Sequence, residues 1–128
     1  MPDVVNSPLP APNAPLNWAV TAPAGAIFYT AHLSIGPHGA FVDGTIEEQT
    51  RQTLENIKGS VEAAGGTMAD IAQCLIYLVD AADAAGMNAV YETYFSDPYP
   101  NRATVVVSAI LIPGARVEIV AYAHLGNA

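Results

Sequence analysis

The sequence predicts an α/β (α+β) fold, a two-layer sandwich in which two helices lie against one sheet. Two observations support this prediction. The 128 residues are enough for one domain with a hydrophobic core but too few for two such domains. Two segments with helical periodicity alternate with five segments of strand composition, in the order strand, strand, helix, strand, helix, strand, strand. We therefore expect residues 1–128 to form a single domain.

The N-terminal segment is rich in proline, with five of the ten prolines in residues 1–15. Proline fixes φ and lacks a backbone N–H, so this segment is expected to be an extended arm without a core of its own. Such an arm becomes ordered only by docking on the rest of the protein. Residues 17–22 and 26–33 are short apolar segments separated by Pro23 and Gly25, and they predict two strands joined by a turn.

A capping box marks the start of the first helix. Thr45 is followed three residues later by Glu48, and in this pattern each side chain satisfies a free backbone N–H at the helix start. Gly65 and Gly66 supply the C-terminal stop. The residues predicted to face the core recur at steps of three and four, at Ile46, Gln49, Thr53, Leu54, Ile57, Val61 and Ala64.

The next two elements are a buried strand and a second helix. Residues 70–79 contain a nearly continuous apolar run without glycine or proline, which is typical of a strand covered on both faces. Asp80 and Asp83 offer N-caps for a helix that runs to about Phe95. Residues 96–100 then end this helix.

Two further strands are predicted for residues 102–111 and 115–125 from their valine and isoleucine content, with Pro113 and Gly114 between them. Side chains alternate across a strand, so one set of each strand faces the helices and the other set faces away. The sets expected to face the helices are Ala103, Val105, Val107 and Ala109 in the first strand, and Val117, Ile119, Ala121 and Ala123 in the second.

Two charged residues, Arg102 and Glu118, fall on the predicted non-helix face, together with Thr104. Burying a lone charge costs several kcal/mol, so each should be paired or should serve a ligand. The two strands run in opposite directions, which places Arg102 and Glu118 roughly 20 Å apart in one chain. A shared site then requires Arg102 from one subunit and Glu118 from another. The alternative is that Arg102 is a cation at a strand edge and Glu118 a surface carboxylate.

Composition limits the classes of partner. Hydrophobic residues make up 52% of the chain and charged residues 12%, so part of the apolar surface is expected to meet another subunit. The net charge of −8 argues against nucleic-acid binding. The longest weakly polar run, residues 103–113, is about half of a membrane-spanning length. The single cysteine, Cys74, cannot form an intrachain disulfide, and we expect a cytoplasmic protein.

Motifs for cofactors are not found. The sequence contains no glycine-rich phosphate loop and no G-x-S-x-G elbow. His32, His38 and His124 lack the close spacing of metal ligands. We therefore expect neither a cofactor nor a metal.

Four motif blocks occur in order along the chain. Residues 49–57 read QTRQTLENI, residues 87–95 read MNAVYETYF, residues 100–104 read PNRAT and residues 117–119 read VEI. With these blocks in register, the sequence from Gly44 to Ala123 resembles the reactive-intermediate deaminase family, also called Rid or YjgF. The resemblance implies a chorismate-mutase-like fold with a mixed sheet backed by two helices, and a homotrimer with clefts between its subunits. It also implies hydrolysis of 2-aminoacrylate-type enamines, through their imine tautomers, to 2-keto acids and ammonia.

The resemblance assigns roles to particular residues. Arg102 would clamp the substrate carboxylate through two parallel hydrogen bonds, and Glu118 would orient the water and carry protons. Other positions of the family pocket correspond to Asn88, Thr30, Ala31, Thr104 and Leu16. The last three depart from the family pattern. Leu16 replaces a tyrosine, Ala31 a glycine and Thr104 a cysteine, which puts the range of substrates in doubt.

Two alternatives to a deaminase remain at this point. One is a trimer that binds small carboxylates through Arg102 without converting them, which the lost tyrosine at Leu16 favours. The other is an endoribonuclease or translation inhibitor, since family members often carry that label. The negative charge of the chain argues against the second alternative.

Overall fold

The protein folds as two helices against one face of a four-stranded sheet, as the computed structural model of residues 1–126 describes it. The sequence-based fold class is therefore confirmed. The described elements are β1 (Asp3–Val4), β2 (Val20–Thr21), β3 (Ala26–Leu33), α1 (Ile46–Ala63), β4 (Ile71–Leu78), α2 (Ala84–Tyr94), β5 (Asn101–Val106) and β6 (Val117–Leu125). Short 3-10 turns at Met68–Asp70 and Ala81–Asp83 precede β4 and α2.

The sheet is mixed, with the strand order β3-β6-β4-β5. Strand β6 is antiparallel to both β3 and β4, whereas β4 and β5 are parallel. The chain from β4 to β5 must cross over through α2, as parallel neighbours require. Strand β5 therefore lies at one edge of the sheet and β3 at the other.

The N-terminal arm contains more structure than the sequence predicts. Its residues Asp3–Val4 form β1, which pairs with β2 in a separate two-stranded sheet. The ring N–H of Trp18 donates to the carbonyl of Pro10 at 2.8 Å, which ties the arm to the segment before β2. The strand predicted at residues 17–22 is reduced to Val20–Thr21, which pairs with the arm, and to an isolated bridge between Asn17 and Asn101 of β5.

The capping box predicted at the start of α1 is confirmed. The backbone N–H of Glu48 donates to Thr45 Oγ1 at 3.1 Å, and the backbone N–H of Thr45 donates to Glu48 Oε1 at 3.2 Å. These hydrogen bonds stabilise the charged carboxylate and lower the pKa of Glu48. Gly65, with a φ of +92°, follows the helix in the left-handed conformation that ends many helices.

The hydrophobic core lies between the helices and the inner face of the sheet, which is the face that contacts them. Leu54 and Ile57 of α1 and Tyr91 of α2 are fully buried against it. Alternate residues of the two central strands supply the other side of the core: Cys74, Ile76 and Leu78 from β4, and Val117, Ile119, Ala121 and Ala123 from β6. The core face predicted for β6 is thus confirmed.

Gln49 is a fully buried polar side chain that fastens α1 to the turn before β6. Its Nε2 donates to the carbonyls of Gly114 and Gly44, and its Oε1 accepts the backbone N–H of Arg116 at 2.9 Å. Removal of this amide leaves three backbone groups without their partners.

We expect Gln49→Ala to lower the free energy of unfolding by about 3 kcal/mol or more, because each unsatisfied buried group costs roughly 1–3 kcal/mol. Urea unfolding followed by circular dichroism measures the effect. Gln52→Ala is the control, since among residues 1–126 the Gln52 side chain bonds only Asn56 of the same helix, at 2.9 Å. That loss should stay near 0.5 kcal/mol or below. Equal losses for the two variants would contradict this interpretation of Gln49.

Candidate functional site

Arg102 lies on the inner face of β5, next to the helices. It pairs with Cys74 in the parallel β4–β5 ladder, and paired residues point to the same face. Cys74 is fully buried under the helices. The guanidinium carbon of Arg102 lies over the ring of Tyr91 in α2, 4.9 Å from the ring centroid. The prediction that Arg102 and Thr104 face away from the helices is therefore wrong.

The reason for this error is that β5 is an edge strand. Val105 and Val106 point to opposite faces, yet they are 48% and 53% exposed. Apolar side chains on both faces leave no alternation that could orient the strand. The strand is also shorter than predicted and ends at Val106 instead of Leu111.

Polar atoms of α2 and β5 are buried without hydrogen-bond partners. Within residues 1–126, these atoms are Nε and Nη1 of Arg102, the hydroxyl oxygen of Tyr91 and Oδ1 of Asn88. The two ion pairs in this range join the N-terminal ammonium to Asp70 and Arg116 to Asp83, so neither contains Arg102. Buried donors without partners cost free energy unless a ligand satisfies them.

Tyr91 is a site residue that the sequence analysis did not single out. It is fully buried, and its ring contacts both the Arg102 guanidinium and the ring of Phe95, whose centroid is 4.5 Å away. Asn88 precedes it by three residues and so lies on the same side of α2. This helical spacing within the 87–95 motif was the available signal for Tyr91.

Burial controls the ionisation of this cluster. It raises the pKa of the Cys74 thiol to about 12, so Cys74 stays protonated near neutral pH. Burial also raises the pKa of the Tyr91 hydroxyl, which lies beside Cys74. It lowers the pKa of Arg102, yet a guanidinium remains charged in proteins. Arg102 is thus the charged member of an otherwise neutral cluster.

Two further predicted pocket residues lie on the same edge of the sheet as Arg102. Thr104 follows it by two residues, points to the same face and is exposed. Leu16 is partly buried near the start of β5, because the neighbouring N–H of Asn17 donates to the carbonyl of Pro100 at 3.1 Å. We use the name arginine half-site for Arg102 and Thr104 of β5, for Leu16 near the start of β5, and for Asn88 of α2, the helix whose Tyr91 contacts Arg102.

Glu118 lies on the opposite, outer face of the sheet, as predicted. It pairs with Tyr77 of β4 and with Leu33 of β3, and it is partly buried. A cavity of about 270 Å³ adjoins it, with mainly apolar walls that include Val107, Leu111 and Val120. Glu118 is the acidic residue among the residues that line this cavity.

The remaining predicted residues lie on β3. Ala31 pairs with Val120 and shares the outer face with Glu118, whereas Thr30 pairs with the buried Ala121 and points inward. We call Glu118 and Ala31 the glutamate half-site. Strand β3 is three strand spacings from β5, or about 14 Å, so Thr30 does not reach the arginine half-site in one chain.

One chain does not bring Arg102 and Glu118 together. Strand β4 separates β5 from β6, and the register through Cys74 and Tyr77 offsets the two residues by three positions. Their Cα atoms are therefore about 14 Å apart. More important, their side chains project from opposite faces of the sheet. The separation is therefore shorter than the predicted 20 Å, and the main reason that one ligand cannot touch both residues is the difference in face.

The described residues also bear on metals and membranes. Within residues 1–126, no group of three or more His, Cys, Asp and Glu side chains is placed to hold a metal ion. None of the helices described there has the length and apolar character needed to cross a membrane.

Comparisons with known proteins agree with the motif blocks. The sequence model of the family described as endoribonuclease L-PSP matches residues 7–125. A RutC family protein of Pyrococcus horikoshii is 40% identical to this chain over 116 residues, which cover 90% of each protein.

Solved structures extend the similarity to the whole fold. A protein of Yersinia pestis described as YyfB of the conserved Rid protein family superimposes with a TM-score of 0.86 at 26% identity, over 97% of this chain and 98% of that one. RidA from an Antarctic Psychrobacter superimposes with a TM-score of 0.74 at 33% identity, over 91% of this chain and 93% of that one. As its four motif blocks predict, the chain belongs to the Rid family, also called YjgF.

Proposed function

We propose that the protein is a hydrolytic deaminase that converts 2-aminoacrylate-type enamines, as their imine tautomers, into 2-keto acids and ammonia. The observation that carries this proposal is the arginine half-site. A buried guanidinium with two N–H groups free of partners is suited to a carboxylate, which every 2-imino acid contains.

The neighbouring amide supports a nitrogen-containing substrate. Oδ1 of Asn88 is a buried acceptor without a partner among residues 1–126. An ionised carboxylate has no hydrogen-bond donor for this oxygen, whereas an imine or enamine nitrogen can donate an N–H to it. Donors at Arg102 and an acceptor at Asn88 together match an imino acid better than a keto acid.

Glu118 supplies the acid and base of the proposed reaction. Its carboxylate takes a proton from a water molecule as the water oxygen bonds to the imine carbon, and it passes that proton to the nitrogen to give a carbinolamine. Glu118 then takes the proton of the carbinolamine hydroxyl group and passes it to the nitrogen as the carbon–nitrogen bond breaks and the C=O bond forms. Ammonia leaves and the carbonyl of the 2-keto acid remains. The reaction consumes one water and needs no oxidant or cofactor.

A complete site on this proposal needs two subunits, because Arg102 and Glu118 lie on opposite faces of one sheet. We propose a homotrimer, in which the arginine half-site of one subunit meets the glutamate half-site of its neighbour. Exposed apolar side chains on the outer face support a subunit contact there, with Tyr29 at 67% and Ile27 at 50% exposure. Ala31 of the neighbour would line the same cleft, whereas its Thr30 points toward the helices and would not reach the cleft.

Substrate range and location follow as parts of this proposal. Leu16 removes the polar contact of the family's tyrosine and Ala31 adds a methyl group that narrows the cleft, which favours small or apolar 2-imino acids. Thr104 puts a hydroxyl group where the family has a thiol. The reduced, buried Cys74 is compatible with a cytoplasmic protein.

A trimer that binds 2-keto acids without turnover is the second candidate, because Leu16 offers no hydroxyl near Arg102. The description of the family model as an endoribonuclease raises a third candidate. Twelve acidic residues against four basic ones would repel an RNA backbone, so we rank it last.

The decisive experiment measures keto-acid release from enzymatically generated 2-aminoacrylate, with and without the purified protein. We expect a clear acceleration in proportion to protein concentration. Tight binding of pyruvate without any acceleration would replace the deaminase with the carboxylate-binding protein. Cleavage of RNA under the same conditions, with loss of cleavage at high salt, would support the third candidate instead.

A further inference from the structure

The Arg102 guanidinium is held by an aromatic ring where a carboxylate would be expected. Buried or half-buried arginines usually pair with Asp or Glu, but neither ion pair formed within residues 1–126 contains Arg102. Its closest aromatic neighbour is Tyr91, whose ring centroid is 4.9 Å from the guanidinium carbon. That distance is within the range of a cation–π interaction.

The choice of an aromatic partner has a chemical consequence. A carboxylate partner would accept the N–H groups of Arg102 and compete with the carboxylate of a substrate. The face of a ring attracts the positive charge without accepting those N–H groups. Nε and Nη1 accordingly remain free of partners in the described chain.

The ring itself is fixed. Tyr91 is fully buried, and the ring of Phe95 packs on it with 4.5 Å between centroids and an angle of 32° between the planes. Tyr91 lies in the last turn of α2, and Phe95, four positions later, is the residue that ends this helix. The guanidinium thus contacts a buried ring that is itself packed against a second ring.

We propose that Tyr91 is a positioning residue, whose ring face aims the Arg102 guanidinium at the carboxylate of the substrate. The role belongs to the ring and not to the hydroxyl. This inference rests on the proposed function only in taking Arg102 as the group that binds the carboxylate; it does not require turnover.

The competing explanation is that Tyr91 only fills the core. The two explanations differ in what they require of the ring. Core filling depends on the volume and shape of the side chain, whereas aiming a cation depends on the negative potential of the ring face. Fluorination makes the potential of the ring face less negative and changes the volume of the side chain little.

The test replaces Tyr91 with Phe and with mono-, di- and trifluorinated phenylalanine in the full-length protein. Pyruvate affinity is measured by calorimetry, and kcat and KM are measured where turnover occurs. Tyr91→Phe should keep most of the affinity, because the ring remains. Affinity should then fall stepwise with each fluorine, and Tyr91→Leu should lose about 5-fold to 30-fold, the value of a desolvated cation–π contact. The loss should appear in KM more than in kcat.

A matched control places the same fluorinated residues at Phe28, a core residue of β3 at the far side of the sheet from β5. Pyruvate affinity should not follow fluorine content there. An affinity that is constant across the Tyr91 series, or equal for Tyr91→Leu and Tyr91→Phe, would overturn the inference. If affinity follows the series in a protein that does not accelerate 2-aminoacrylate hydrolysis, the deaminase proposal fails while the role of Tyr91 stands.

Discussion

Replacement of Arg102 by alanine is expected to lower kcat/KM for 2-aminoacrylate between about 30-fold and about 4000-fold. Loss of one partner from a buried charge pair costs roughly 2–5 kcal/mol, and each 1.4 kcal/mol is tenfold. Arg102→Lys should lose activity as well, though less, because an ammonium keeps the charge but cannot form two parallel hydrogen bonds with a carboxylate. Steady-state kinetics on generated 2-aminoacrylate measures both losses.

We expect the Arg102→Ala variant to lose much of its activity but little of its stability. Nε and Nη1 of Arg102 are buried without hydrogen-bond partners in the described chain, and this opposes folding by roughly 1–3 kcal/mol. The contact with Tyr91 offsets a similar amount. The melting temperature should therefore stay within a few degrees of the wild type.

Arg116→Ala is the matched control for Arg102→Ala. The side chain of Arg116 is 47% exposed and contacts Asp83 at 3.2 Å, and neither residue belongs to the arginine half-site. Its loss should cost less than about 1 kcal/mol of stability and should leave the kinetics unchanged. Unfolding of Arg102→Ala, or full activity of that variant, would contradict the role that we assign to Arg102.

A mixture of two inactive variants is expected to regain activity, which is the second large effect. Glu118→Gln should lower kcat by about 100-fold to 10,000-fold, the usual contribution of a general acid–base group. If each cleft takes Arg102 from one subunit and Glu118 from the next, mixed trimers contain some clefts with both native residues. Random exchange of equal amounts predicts about one quarter of the wild-type activity, since each of two subunits must be of the right kind.

The complementation experiment mixes Arg102→Ala and Glu118→Gln under mild denaturant, removes the denaturant and measures deaminase activity. Sedimentation equilibrium on each variant serves as the control for assembly. Each variant that is denatured and refolded alone should regain no deaminase activity. Failure to recover activity in mixed trimers would show that the two residues do not share a cleft, and a mass of one chain at all concentrations would exclude the assembly.

The fold could be predicted from local sequence signals wherever one residue pattern has one structural meaning. Thr45 and Glu48 define the start of α1 because their spacing satisfies specific backbone groups. The alternation in β6 assigns its core face correctly, since that strand lies between two others and its two faces differ in polarity. Gly65 likewise marks the end of α1.

The site could be predicted only in part, because its geometry depends on pairing between distant segments. The sequence identifies Arg102 and Glu118 as misplaced charges, but the face of Arg102 is set by its register with Cys74 in β4. No local pattern encodes that register. Strand β1 was missed for a similar reason, since Asp3–Val4 is a strand only through its pairing with Val20–Thr21.

Because the Arg102 guanidinium forms no hydrogen bond within the described chain, the scaffold carries its functional cation without depending on it. A substitution of Arg102 is therefore expected to leave the framework folded while it removes the proposed binding of the carboxylate. Removal of the Gln49 side chain, by contrast, is expected to lower the free energy of unfolding, because this side chain fastens α1 to the turn before β6. The side chain proposed to bind the substrate thus differs from the side chains that stabilise the fold. Such a separation is one reason why a single fold can host unrelated activities.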